Sequence, residues 1–145
     1  MTYFLDTNIC IYLLKGTSPA LTKRLLRTIP MDVKIPSIVY AELLAGAKAS
    51  GSPEKSIEAI KAFVSQFEIV PFDETGAEAY GRIRAGLLAA GVKGGPNDMI
   101  VVATALSRGG VIVTNNEKDF LRFAGVQTEN WTRRASPHSP YSTKV

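Results

Sequence analysis

The sequence predicts an α/β fold, a central and mostly parallel sheet of four to five strands with helices on both faces. Three observations carry that expectation. Short apolar runs of strand length alternate with longer segments of helical periodicity, the pattern of strands joined by helical crossovers. Two of the runs end abruptly on polar residues, Leu5 giving way to Asp6-Thr7-Asn8 and Val113 to Thr114-Asn115-Asn116. In parallel sheets, ligands bind beyond such strand ends. Finally, 145 residues, 46% of them hydrophobic, suit one domain that buries roughly 70% of its unfolded surface.

Each element has its own local cause. Tyr3-Phe4-Leu5 reads as a buried strand, and Ile9 to Leu14 resumes apolar character as a helix. Gly16-Thr17-Ser18-Pro19 breaks the chain before an amphipathic basic helix over Ala20 to Thr28, with Leu21, Leu25 and Leu26 at helical spacing. Lys34-Ile35-Pro36-Ser37 is a second strand, with Ser37 placed to cap a helix reaching about Ala49 that carries Glu42. Ser52-Pro53-Glu54 starts the next helix, whose apolar face is Ile57, Ile60, Phe63, Val64 and Phe67. Glu68 to Phe72 follows as strand. Thr75 and Glu78 form a capping box for a helix that ends at Ala90, before Gly91. Asn97 opens a helix that is apolar nearly all round from Met99 to Leu106, and Gly109-Gly110 separates it from the strand Val111 to Thr114. Residues 133–145 read as a flexible tail after a domain over 1–132.

Composition narrows the chemistry. With one cysteine, Cys10, no intrachain disulfide or thiolate zinc site can be built, which suits a reducing compartment. The single histidine, His138, lies in the polar tail, so a Ser-His-Asp triad, a zinc-histidine hydrolase and a histidine-pair ribonuclease all lack their parts. No apolar run approaches the roughly 18 residues of a membrane span, and the N-terminus lacks a secretory signal. The expectation is a cytoplasmic protein whose chemistry runs on carboxylates. Its net charge is +4, spread as +3 over residues 1–53, −4 over 54–80 and +5 over 81–145, a mild bias toward polyanions.

Asp6 ends the first strand, Asp98 opens the buried helix, Asp119 follows the strand ending at Thr114, and Glu42 lies on the helix after the second strand. Taken singly, each has an ordinary explanation: Asp6 as a turn or cap, Asp98 at a helix dipole, Glu42 on a solvent stripe, Asp119 in a polar loop. Together they fall on one sheet edge. Like charges that close oppose folding and persist where a divalent cation neutralises them, and oxygen-only ligands point to Mg²⁺ or Mn²⁺.

Phe4-Leu5-Asp6-Thr7-Asn8, the Glu42 helix, Gly95-Pro96-Asn97-Asp98 with the apolar run after it, and Val113-Thr114-Asn115-Asn116 through Asp119-Phe120 resemble the PIN domain. Within that family the chain resembles the VapC toxins of bacterial VapBC toxin–antitoxin modules, from about residue 2 to Trp131. The resemblance implies an endoribonuclease dependent on Mg²⁺, with Mn²⁺ as substitute, in which Asp6, Glu42, Asp98 and Asp119 are the catalytic, metal-holding acids. Many PIN domains carry Asp where this chain has Asn116, so the fourth acid is Asp119 or, failing that, Glu117. Thr7, Asn8, Thr114 and Asn116 are assigned to orienting the ligands. The mechanism implied is in-line attack of an activated water on an RNA phosphodiester, leaving a 5′-phosphate and a 3′-hydroxyl. Lys15, Lys23, Arg24, Arg27, Arg82, Arg84, Lys93 and Arg108 are candidates to hold RNA phosphates.

The implied partners are a cognate VapB-type antitoxin, an RNA substrate such as tRNA or rRNA, and a second copy of the chain in a homodimer within a larger complex. The antitoxin is expected to lay a C-terminal segment into an apolar groove near the N-terminal helices, with Leu13, Leu14, Leu21 and Leu25 as candidates for groove or core. Trp131, Phe120 and Phe123 read as core. The alternative function is a catalytically inactive PIN-like module that binds RNA or protein. Phosphotransfer folds on a similar sheet fit poorly, because the residue two after Asp6 is Asn8 and not a second Asp.

Overall fold

The computed structural model describes residues 1–133. Of the expected tail only Arg133 falls within them, and His138 lies outside. The strands are β1 (Tyr3–Leu5), β2 (Val33–Pro36), β3 (Glu68–Val70), β4 (Val111–Val113) and β5 (Thr128–Glu129). They form one sheet in the order β3-β2-β1-β4-β5, and every pairing is parallel. The helices are α1 (Thr7–Lys15), α2 (Pro19–Leu26), α3 (Ser37–Lys48), α4 (Pro53–Val64), α5 (Glu74–Ala90), α6 (Pro96–Ser107) and α7 (Glu117–Phe120), with a 3₁₀ turn at Pro30–Asp32.

The strand order creates the functional edge. From β1 the chain steps outward through β2 to β3, then returns to place β4 on the other side of β1. Such a reversal opens a crevice at the carboxyl ends of the two central strands. Asp6 follows β1 directly and Thr114 follows β4, and the Asp6 amide donates to the Val113 carbonyl at 3.2 Å.

All three residues of β1 are buried, as are all three of β4, because helices cover both faces; this is why those strands read as unbroken apolar runs. Helix α6 buries Met99 and every residue from Val101 to Ala105, in line with its apolar sequence. Phe120, Phe123 and Trp131 are buried, so the three aromatics belong to the core. A clamp fixes the segment that holds β5. Arg24 on α2 stands 4.8 Å from the Trp131 ring centroid and 3.3 Å from Glu129, Trp131 donates to Glu129 at 3.0 Å, and Trp131 packs edge-on against Tyr3. Arg24 is thereby withdrawn from the set of RNA-holding candidates.

Several boundaries move for local reasons. Helix α1 begins at Thr7, two residues before the expected start, because Asp6 is its N-cap and accepts from Ile9 N at 2.9 Å. Ser37 is the first residue of α3 and not its cap; its hydroxyl accepts from Phe72 N at 3.3 Å. Asp73 caps α5 ahead of the Thr75 capping box by accepting from Gly76 N at 3.0 Å. Helix α6 starts at Pro96, and α2 stops at Leu26. Helix α7 and strand β5, four and two residues long, are too short to show periodicity in sequence.

Two adjacent glycines end α6 for different reasons. Gly109 adopts φ +64 with open space around its Cα, whereas a Cβ on Gly110 would drive into the fully buried Phe4 ring. Gly109→Ala should therefore cost about 1–2 kcal/mol in backbone strain. Gly110→Ala forces β1 to shift and should cost more, about 2–3 kcal/mol. Urea unfolding midpoints check this ranking, and equal losses would contradict the close approach at Gly110.

Candidate active site

Four acids arrive at the crevice from four elements. Asp6 caps α1, Glu42 lies midway along α3, Asp98 occupies the first turn of α6, and Asp119 lies on α7. Asp6 and Asp98 sit at the positive ends of their helices, which eases the accumulation of negative charge. Asp6 is buried, and Glu42, Asp98 and Asp119 are each partly buried.

The acids feel one another. Burial pushes the Asp6 carboxyl above the usual carboxylate range; Asp98 and Glu42 push it further, while the Thr114 hydroxyl and the Ile9 amide pull against them. Burial also raises Asp98, with Asp119 and Glu42 adding to the rise and Arg122 opposing it. All four carboxylates thus belong to one electrostatic cluster.

Neighbouring hydroxyls and amides hold three of them. Thr7 donates to Glu42 Oε1 at 2.9 Å, tying the first turn of α1 to α3. Thr114 is fully buried; its hydroxyl lowers the Asp6 carboxyl against the effect of burial and accepts from Asn116 N at 3.0 Å. The Asn116 side chain donates to Asp119 Oδ2. Asn8 is exposed, with no side-chain hydrogen bond among the described residues. Glu117 points its bonds elsewhere, to Thr128 at 3.2 Å and Arg133 at 2.6 Å, and so serves β5.

Arg122 escaped the sequence reading. Its Nη2 stands 4.0 Å from Asp98 Oδ2, and its other bonds go to backbone carbonyls, which leave no mark in a sequence. The pair Asn115 and Tyr12, bonded at 3.0 Å beside the crevice, was missed for a similar reason, since 103 residues separate them.

The donor set suits a hard divalent cation. It is all oxygen, with no histidine among the described residues, and Cys10 is fully buried with its thiol pushed up by burial and by Asp6, so it does not compete as thiolate. Among the described residues no three acids already stand at ligating positions around a single point. Mg²⁺ keeps several waters and takes only a few protein carboxylates directly, which fits acids spread across four elements.

A repelling cluster costs stability when no cation offsets it. Because the folded carboxyl of Asp6 titrates above the unfolded value of 3.8, the metal-free protein is favoured where Asp6 is protonated and loses stability as pH rises through and beyond that value. Asp6→Asn, which keeps the cap, should therefore raise the melting temperature of chelator-treated protein at pH 7 by a few degrees. The gain should shrink as the pH falls toward the unfolded value. Calorimetry checks both; a lower melting temperature at pH 7 would contradict the cluster.

Comparison with known proteins gives the family. The PIN domain model matches residues 3–126. The chain is 37% identical over 132 residues to the tRNA(fMet)-specific endonuclease VapC of Shigella flexneri, covering 91% of this chain and 99% of the relative. It superimposes on DNA-bound VapBC from Salmonella typhimurium with a TM-score of 0.86 and 35% identity over 90% of this chain and 98% of that one. VapBC-1 from nontypeable Haemophilus influenzae gives 0.83 and 34%, over 92% and 100%. No helix among the described residues is long and apolar enough to cross a membrane. With its parallel five-stranded sheet and its acids at the β1/β4 crevice, the chain belongs to the PIN domain family, among the VapC proteins.

Proposed function

We propose that this chain is the toxin of a VapBC-type module, an endoribonuclease that hydrolyses RNA phosphodiester bonds at Asp6, Glu42, Asp98 and Asp119. The observation that carries this reading is the convergence of four carboxylates from four separate elements at the sheet's switch point. The cofactor is Mg²⁺, with Mn²⁺ as substitute. Bound there, it supplies Lewis acidity, stabilises charge on the phosphoryl oxygens and makes water a usable nucleophile near neutral pH.

The chain's own residues set the stage for that chemistry. Asp6 accepts from Ile9 N through Oδ1, which orients its carboxylate against a buried backdrop and leaves Oδ2 for a ligand bond. Glu42 keeps Oε1 on Thr7, which leaves Oε2 to accept a proton or a ligand bond. Asp119 serves as the fourth acid, since it acts on Asp98 whereas Glu117 is engaged by Thr128 and Arg133.

The relative from Shigella flexneri is named for tRNA(fMet), so tRNA is the first substrate class to test, with rRNA as the other. A tRNA or rRNA substrate fits a cytoplasmic protein. The VapB-type antitoxin fits a cavity of about 400 Å³ between α1, α3 and α4, lined by Ile11, Leu14, Leu43, Ala47 and Ile60. Lys15 and Glu42 also line it, so an apolar segment seated there ends beside the acids and can present a basic side chain to them. Of the candidate leucines, Leu14 lines this cavity, Leu21 is fully buried core, and Leu13 and Leu25 pack partly buried against the core. In the module the toxin pairs with a second copy of itself.

Asp6→Asn and Asp98→Asn should each reduce RNA cleavage by about 100-fold or more with unchanged circular dichroism. Full activity in both variants would remove the acids from the mechanism. Mapping of product ends should find 5′-phosphate and 3′-hydroxyl groups. A 2′,3′-cyclic phosphate would mean that the ribose hydroxyl attacks instead. A folded wild type that binds tRNA and rRNA without cutting either would favour the inactive binding module.

A further inference from the structure

Arg122, three residues past Asp119, serves four groups at once. Its Nε donates to the Asp119 carbonyl at 2.7 Å, its Nη1 donates to the Lys93 carbonyl at 3.1 Å, and its Nη2 faces Asp98 Oδ2 at 4.0 Å. The guanidinium carbon stands 5.5 Å from the Phe123 ring centroid. Lys93 lies in the loop between α5 and α6, five residues before Asp98, whereas Asp119 belongs to α7. One planar group therefore joins the two segments that deliver two of the four acids. The loop is also pinned beneath: a Cβ on Gly94 would meet Phe123 at 3.2 Å and Leu87 at 2.9 Å.

We propose that Arg122 is a positioning residue, a fork that fixes Asp98 and Asp119 relative to each other and so determines how well the acid cluster takes a divalent cation. The proposal rests on the metal-dependent reading of the site. Two effects of Arg122 oppose each other there. Its positive charge beside Asp98 works against a cation, while its two carbonyl bonds assemble the acids that hold one. The charge effect is the weaker, because the Asp98 contact is long and both side chains are partly exposed, at 32% and 41%. The carbonyl bonds need separate nitrogens in one plane, which a lysine ammonium cannot supply.

The two effects predict different outcomes for two substitutions. Arg122→Lys keeps the charge and loses the fork; Arg122→Gln loses both. If positioning dominates, both weaken Mn²⁺ binding in isothermal titration calorimetry by about tenfold or more. Both should also lower kcat on RNA and leave KM near the wild-type value. If charge dominates, Arg122→Lys matches wild type and Arg122→Gln binds Mn²⁺ more tightly, and either result overturns the proposal. Should both variants lose their native circular dichroism, hydrogen exchange on the wild type decides: residues 93–99 and 117–122 should gain protection together when Mn²⁺ is added, and independent responses would overturn it. A wild type that binds no Mn²⁺ overturns the metal-dependent reading itself, whereas binding that survives both substitutions overturns only the role of Arg122.

Discussion

The burial of carboxylates at one crevice, Asp6 and Asp98 foremost with Glu42 and Asp119 close enough to act on them, is the constraint around which the rest of this molecule is organised. Burial and neighbouring charge raise the carboxyls of both Asp6 and Asp98, so the native fold holds in place groups that would be more comfortable apart. Compensation is local. Helix N-termini receive Asp6 and Asp98, Thr7 donates its hydroxyl to Glu42, and Arg122 places a cation beside Asp98. None of these removes the excess negative charge, and that remaining imbalance is the electrostatic ground for the proposed cation site.

Holding repelling groups close requires stiff supports. Strands β1 and β4 are buried along their whole length, and α6 is buried on several sides, so Asp6 and Asp98 stand at the ends of elements anchored in the core. The clamp of Arg24, Glu129 and Trp131 fixes the closing segment against Tyr3 of β1. Glu117 is part of the same economy: by bonding Thr128 it anchors α7 to β5 and leaves Asp119 for the cluster. With the four acids set aside, the remaining residues carry +8, so a cationic body surrounds an anionic centre, a layout that favours the approach of a polyanion.

How much of this was legible in sequence depended on how local each signal was. Asp6 and Asp98 stand where apolar strand meets polar loop and where Pro96 opens a helix, and both transitions are written in adjacent residues. Glu42 sits mid-helix among apolar neighbours, so the sequence places its helix at the edge but its facing depends on the packing of α3 against α1. Competing caps moved the boundaries: Asp73 outcompeted Thr75, and Asp6 added two residues to a helix that the apolar pattern alone begins at Ile9. Arg122 was invisible because its partners are carbonyls, one of them 29 residues away. Arg24 looked like a surface cation in an amphipathic helix until the fold laid Trp131 and Glu129 over it.

The central claim is that the crevice acids act together as one cation site, and it is tested most directly by following the melting temperature of wild type and Asp98→Asn against Mn²⁺ concentration, starting from chelated protein. A ligand that binds only the folded state stabilises it in proportion to the logarithm of its concentration above the dissociation constant. The wild-type melting temperature should climb steadily with Mn²⁺, and that of Asp98→Asn should stay nearly flat across the same range. Parallel climbs in the two proteins, or no climb in either, would contradict the account.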